Sequence, residues 1–235
     1  MATIAKTVGS FDKVLATCKT IGASYQPSVP ELAPAALSQL QERAQQSLRA
    51  ATEARIAYRM AVNNRKDSFE GIPKLAVRIV RMMSASTRGG NSHLEDAKLI
   101  RNKFRPLRKK SPKSEEQKLS KDGTALATRS SGRFSFDQQM ETLSNLIELA
   151  GKSGNYNPAE ADLTLEGLMQ TLANLHTASQ AVTETRAMYK KARLDRDVLI
   201  YGKDGIHQMT IAVRDYIHGA FGFISMESTQ AIGMK

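Results

Sequence analysis

A single cysteine, Cys18, stands among 235 residues. That excludes an intramolecular disulfide framework and any cysteine-rich zinc site, and it suits a reducing, cytoplasmic interior better than a secreted setting. No window approaches the roughly 18 consecutive apolar residues of a membrane span. The first 25 residues also lack a continuous apolar stretch followed by a small-residue cleavage site, so neither export nor membrane crossing is expected. Alternating β-branched runs are missing too, and no strand competes for the long segments rich in Ala, Leu, Gln, Glu, Arg and Lys.

Catalytic signatures are equally scarce. Gly89-Gly90 follows no strand and matches no phosphate loop, so it reads as a turn, and no nucleophile-elbow motif occurs. The four histidines are His93, His176, His207 and His218. Asp204-x-x-His207 and Asp215-x-x-His218 each place a carboxylate and an imidazole one helical turn apart, which is half of what a di-iron bundle needs. Such a site requires pairs on two helices and two further inward carboxylates, whereas these lie close together and Gly71-Ile72-Pro73 has no matching His. They read as solvated helix polar groups. Cys18, beside Leu15 and Ile21, reads as a small core hydrophobe, since catalysis would need a histidine and an orienting group brought to it in space. No enzyme, cofactor or metal is expected.

What the chain does have is positive charge and repetition. Lys and Arg number 34 against 23 Asp and Glu, a net +11, which favours polyanionic partners. Residues 101–133 hold eleven basic and three acidic side chains, so 11 − 3 = +8 lies in this stretch.

Repeats decide the fold reading. Ser10-Phe11-Asp12 recurs as Ser135-Phe136-Asp137, an offset of 135 − 10 = 125. Tyr25-Gln26-Pro27 recurs as Tyr156-Asn157-Pro158 at 156 − 25 = 131, which makes the first helix of the second copy six residues longer. The offset of 131 then holds for Leu32 and Leu163, Leu37 and Leu168, Arg55 and Arg186, Tyr58 and Tyr189, Ala61 and Ala192, and Arg65 and Arg196. Gly71-Ile72 matches Gly205-Ile206, and Ala76-Val77-Arg78 matches Ala212-Val213-Arg214 at 212 − 76 = 136.

One copy reads as a short capped helix, a Tyr-x-Pro turn, a long helix, a glycine reversal and a third helix. Ser10 is placed as the N-cap of a helix from Phe11 to about Thr20, and Ser135 with Gln138 forms a capping-box pattern. Pro30 and Pro34 suit a first helical turn, where a missing N–H costs nothing. Leu37, Leu40, Ala44, Leu48, Ala51, Arg55, Tyr58, Val62, Arg65 and Phe69 fall at spacings of three and four, one apolar stripe along a long helix. Gly71 and Gly205 end the long helices, and third helices follow from about Pro73 to Met83 and from Ile206 to Phe221. Ser92 with Glu95 caps a fourth helix in the first copy, with a weaker counterpart at residues 227–235.

The expected fold is all-α: a tandem-duplicated antiparallel helical bundle with a pseudo-twofold repeat. Residues 10–104 form repeat 1, 105–134 a basic linker containing Pro and Ser, and 135–235 repeat 2. The pattern Tyr156-x-Pro158, Ala192-Arg193-x-x-Arg196, Tyr201, Val213-Arg214-x-Tyr216-Ile217 and Phe221-Gly222 resembles a family of duplicated all-helical bacterial proteins with no assigned activity. The resemblance covers the second copy well and the first less completely. It implies a bacterial origin and nothing about chemistry.

Two surfaces merit weighing. Arg55 with Tyr58, and Arg186 with Tyr189, sit three residues apart near the middle of each long helix. They are either packing groups whose arginine heads pair with carboxylates such as Glu53 or Glu184, or a pair of partner sites. The linker is either a solvated tether or an arm that neutralises phosphates through Arg101, Lys103, Arg105, Arg108, Lys109, Lys110, Lys113, Lys118 and Lys121. No aromatic lies between Arg105 and Arg133, so such binding would be independent of base sequence. The leading expectation is a structural or interaction protein that self-assembles or docks to a protein partner. The alternative is a sequence-independent nucleic-acid binder, on DNA or ribosomal RNA.

Overall fold

The structure, a computed structural model, describes residues 2–86, 92–104 and 135–222. All regular structure among them is helical. The α-helices are α1 (Ala2–Ile21), α2 (Pro34–Glu70), α3 (Ile72–Ser86), α4 (Ser92–Asn102), α5 (Phe136–Lys152), α6 (Leu165–Tyr201) and α7 (Ile206–Phe221). Two short 3-10 turns, Gly22–Ser24 and Pro30–Leu32, lie between α1 and α2. The linker arm from Arg105 to Lys121, Gly89-Gly90 and the expected last helix at residues 227–235 lie outside the described residues.

Local chemistry accounts for most boundaries. Ser135 caps α5, its hydroxyl accepting from the Gln138 N–H at 3.2 Å, which satisfies one of the orphan donors of the first turn. Pro34 is the first residue of α2, where its fixed φ and missing N–H do no harm. Gly71 and Gly205 stand immediately before α3 and α7, after the long helices have ended.

Ser10 departs from expectation. It lies inside α1 instead of capping it, because Ile4 and Val8 continue the apolar spacing upstream of Phe11 and no proline interrupts residues 2–9, so the helix runs on through Gly9. Its hydroxyl accepts a hydrogen bond from Arg214 Nη2 at 2.9 Å. With that upstream extension α1 is 20 residues long and α5 only 17, so the first helix of the second copy is not the longer one as expected; only the parts from Phe11 and Phe136 onward, 11 residues (11–21) and 17 (136–152), differ in the expected sense. The two long helices are each 37 residues, and both their starts (165 − 34) and their ends (201 − 70) differ by 131.

Two compact units result, and each draws on both halves of the chain: residues 1–60 with 184–235, and residues 61–183. The boundaries fall within α2 and α6, so each long helix gives one half to each unit. In the first unit α1 packs on α7, and Phe11, Val14, Leu15 and Cys18 meet Ile206, Val213 and Ile217 over Leu37, Leu40 and Ala44 of α2. In the second, α3, α4 and α5 pack together, with Ile79, Met83, Leu94, Leu143 and Leu146 joined by Leu168 and Leu175 of α6. Removing each such side chain from water contributes about 1.5–3 kcal/mol.

Burial also sets the register between the third helices. Ile72, Ala76, Ile79 and Met83 are buried on α3, and Ile206, Thr210, Val213 and Ile217 on α7, a constant offset of 134. The Ala-Val-Arg match at 136 is therefore shifted by two residues from the packing register, because under it buried Ile79 would correspond to exposed Asp215.

The two reversal glycines differ in their surroundings. A Cβ at Gly205 would lie 2.9 Å from the Leu199 carbonyl oxygen and 3.0 Å from Gly202 backbone, whereas one at Gly71 meets nothing within 4 Å. Gly205→Ala should destabilise the fold by more than about 1 kcal/mol, and Gly71→Ala should be neutral or stabilising by up to about 1 kcal/mol through lost unfolded-state entropy. Urea unfolding of the two variants checks this; equal effects would contradict the geometry.

Candidate interaction surfaces

Of the sequence-predicted partner residues, Tyr58 and Tyr189 come together. Their rings stack with centroids 6.2 Å apart and planes 10° from parallel, so each half-buried tyrosine covers the other. Arg55 is half-buried and engaged, while Arg186 is exposed. The Arg-Tyr motif is thus split: the tyrosines pack against each other, and only Arg186 offers an outward cation.

The second repeated arginine pair also diverges. Arg65 lies over the Phe136 ring, 4.2 Å from its centroid, and that ring meets Phe69 edge-on at 4.7 Å. The Arg65 stem thereby covers apolar surface. Arg196, mostly buried, donates from Nη2 and Nε to Asp197 Oδ1 at 2.6 and 3.0 Å. Of the basic-arm residues, only Arg101 and Lys103 fall within the described region. Arg101 donates to Asn102 Oδ1 at 3.3 Å, and Lys103 shares a surface cleft with Asp96 and with Glu148, the latter paired to Lys152.

Two tyrosine bonds hold the turns ahead of the long helices. Tyr25 donates to the Leu32 carbonyl at 2.9 Å and Tyr156 to the Leu163 carbonyl at 2.8 Å, each seven residues on. Tyr25 also meets Tyr216 edge-on, with centroids 5.2 Å apart. Burial pushes the Tyr156 hydroxyl up to about 12, opposed by the nearby Arg78 guanidinium. It pushes up Tyr25 as well, with Cys18 adding to the effect. The Cys18 thiol, buried among Phe11, Leu15 and Ile217, is likewise raised by burial, while its hydrogen bond with Tyr25 acts the other way. A thiol so raised stays protonated at neutral pH and is a weak nucleophile. Arg78 holds Asp162 in a two-point hydrogen bond, which lowers that exposed carboxyl. Among the described residues, no three His, Cys, Asp or Glu side chains come close enough to hold a metal ion, and no helix is long and apolar enough to cross a membrane.

The feature that sequence reading missed lies on α6. Leu194 and Val198 are 65% and 66% exposed, and Tyr201 is 42% exposed. With Ala187 and Lys191 they fall at alternating spacings of four and three, the seam of a coiled coil with Val at an a position and Leu at a d position. The basic Lys190, Lys191 and Arg193 precede Asp195 along it, and Asp197 beyond is already held by Arg193 and Arg196 of the same helix. At the offset of 131, α2 carries Asn63, Asp67 and Glu70 where α6 carries Leu194, Val198 and Tyr201. That contrast was readable in the sequence, but the buried stripe of the same helix drew the apolar residues into one pattern. No known family, curated protein or solved structure matches the chain, so no residue role on this surface is inherited from a relative.

Tyr156 gives a pH test. In the unfolded chain it ionises near 10, and in the fold only near 12. Its contribution is therefore complete below pH 10 and lost as pH rises towards 12, because the unfolded state releases the proton first. Tyr156→Phe should cost about 1 kcal/mol at pH 8, where the Leu163 carbonyl loses its donor. The gap from the parent should narrow between pH 9 and 11.5 in denaturant titrations; a constant gap would count against the bond.

Proposed function

We propose that this chain is a non-enzymatic structural or interaction protein, built from a duplicated helical unit, that pairs with a second copy of itself through α6. The exposed Leu194–Val198–Tyr201 seam carries the reading. Nothing about helix formation requires apolar residues there, since α2 builds the same length of helix with Asn63, Asp67 and Glu70 at the corresponding exposed positions. The charge order selects the partner. A parallel, in-register second α6 sets Leu194, Val198 and Tyr201 against the same residues of the other copy, Val at a and Leu at d, and sets Lys190 at g beside Asp195 at e of the other copy, twice; an antiparallel one with Leu194 on Val198 brings Asp195 and Asp197 beside the acids of the other copy. The seam from Ala187 to Tyr201 is about 21 Å long at 1.5 Å per residue, short for a coiled coil, so the dimer is weak, with a Kd on the order of micromolar.

Duplication is supported by the equal lengths of α2 and α6, the paired tyrosine bonds and the constant offset of burial in α3 and α7. On this reading each copy keeps its first and second helices adjoining and gives its third helix to the other copy's first, an internal pseudo-twofold exchange. The resemblance to duplicated helical bacterial proteins fits this reading and assigns no activity.

Sedimentation velocity at 1–100 μM provides the test at order-of-magnitude concentrations bracketing that affinity. Leu194→Asp should abolish association without loss of helicity. Lys190→Glu and Asp195→Lys chains should each be monomeric alone and pair when mixed. A parent chain that stays monomeric throughout, or a Leu194→Asp chain that still associates, sinks the proposal.

A second reading rests on the +8 of residues 101–133. Binding of mixed-sequence DNA and RNA through that arm should fall steeply between roughly 50 and 200 mM salt and vanish on deleting residues 105–131. Salt-insensitive binding, or none, would remove it.

A further inference from the structure

The α1–α7 pairing creates a small cationic cavity of about 170 Å³ in the first unit, lined by α1 residues including Lys6 and Ser10 and by α7 residues including His207, Thr210 and Arg214. The spacing explains the convergence: Lys6 and Ser10 are four apart on one helix, and His207, Thr210 and Arg214 fall at three and four on the other, so each set lies on one face. No carboxylate lines the cavity.

Its polar groups are unevenly satisfied. Arg214 donates from Nη2 to Ser10 Oγ at 2.9 Å, but its buried Nε has no hydrogen-bond partner. That unpaired N–H is a cost the packing leaves in place, while the half-buried guanidinium as a whole lines the cavity. Ser10 Oγ accepts from Arg214 and has its own proton to give. Lys6 makes no salt bridge among the described residues. Thr210 is committed, donating to the Ile206 carbonyl at 2.7 Å, so it shapes the wall without serving as a donor. His207 is the second residue of α7, whose N-cap Gly205 provides no side-chain acceptor, and the positive end of that helix adds to the local field.

We propose that this cavity binds a phosphate group, held by Arg214 and Lys6 with Ser10 as a hydroxyl donor. The chemistry is that of a tetrahedral oxyanion: a planar guanidinium beside an ammonium and a hydroxyl, with no opposing acid. Size narrows it further. Pockets for drug-sized ligands run to roughly 300–1,000 Å³, so about 170 Å³ admits a phosphate and a few further atoms but not a nucleoside. The proposal does not rest on self-association, although Tyr201 of the seam meets His207 of the cavity wall edge-on at 6.3 Å.

The test is isothermal titration of the full chain in chloride buffer at constant ionic strength and pH 7, with inorganic phosphate and with glycerol 3-phosphate as separate probes. A Kd on the order of 1 mM is expected for at least one of them. Inorganic phosphate bound at least as tightly assigns the site to the free ion; glycerol 3-phosphate bound more tightly assigns it to an esterified phosphate. Arg214→Gln and Lys6→Gln should each weaken binding about tenfold or more, the effect of losing a charge-assisted hydrogen bond. If Arg214→Gln fails to fold, the exposed Lys6 carries the test alone. Lys13→Gln removes an equal charge from α1 away from the cavity and should leave the Kd unchanged. Binding of neither probe up to about 10 mM, or equal weakening by Lys13→Gln and Lys6→Gln, overturns the proposal.

Discussion

Neither 37-residue helix could hold its form alone in water. Between Leu48 and Phe69, α2 buries only Ala51, Ala61 and Phe69, and α6 buries nothing between Val182 and Ile200. Long helices with so little apolar contact are marginal by themselves, because propagation adds little per residue once nucleation has been overcome. Their stability comes from the ends, where shorter helices cover them. Phe11 and Val14 of α1 with Ile206 and Val213 of α7 form one such cover, and Ile79 of α3 with Leu143 and Leu146 of α5 form the other. Burial of those apolar faces is the interaction on which the caps, the tyrosine bonds and the surface features all depend.

The chain order makes these covers non-local. The first described helix finds its partner in the last described one, and Ser10 and Arg214 bond across 204 residues of sequence. Closing so long a loop costs more entropy than pairing neighbours, although the cost grows only logarithmically with length. The second unit, continuous from 61 to 183, pays less for its own closure. Contacts of high sequence separation also form late, so the α1–α7 pair and the cavity it creates depend on the rest of the fold being in place.

Both surface features stand out by departing from what packing alone would choose. An apolar residue on an exposed helix face contributes little to folding, yet Leu194, Val198 and Tyr201 recur at coiled-coil spacing where α2 carries Asn63, Asp67 and Glu70, its own exposed Ile56 and Met60 matching Ala187 and Lys191. A buried N–H without a partner weakens a fold; Arg214 keeps one at Nε, as Arg65 and Arg101 also do, but Arg214 stands with Lys6 against a cavity free of acids. The tyrosine stack of Tyr58 on Tyr189, by contrast, satisfies its own apolar surface and asks for no outside partner.

Much of this was legible in the order of residues, and the limits of that legibility have a physical cause. Helix type and most boundaries follow from local forces: Ser135 accepting from Gln138, Pro34 at a first turn, Gly71 and Gly205 at reversals, and periodic apolar positions between them. These act over four residues or fewer, so the chain alone specifies them. Ser10 was misread because a capping residue and a mid-helix hydroxyl look alike until the helix upstream is seen to continue through Ile4 and Val8. The shift of two residues between the Ala-Val-Arg likeness and the burial register of α3 and α7 has a similar origin, since side-chain identity and side-chain facing are different signals. Tertiary structure alone decided that α1 meets α7, that α5 meets α3 and α4, and that Lys6, Ser10, His207 and Arg214 converge. Apolar stripes attract one another without regard to partner, and only the simultaneous fit of every stripe chooses among the pairings.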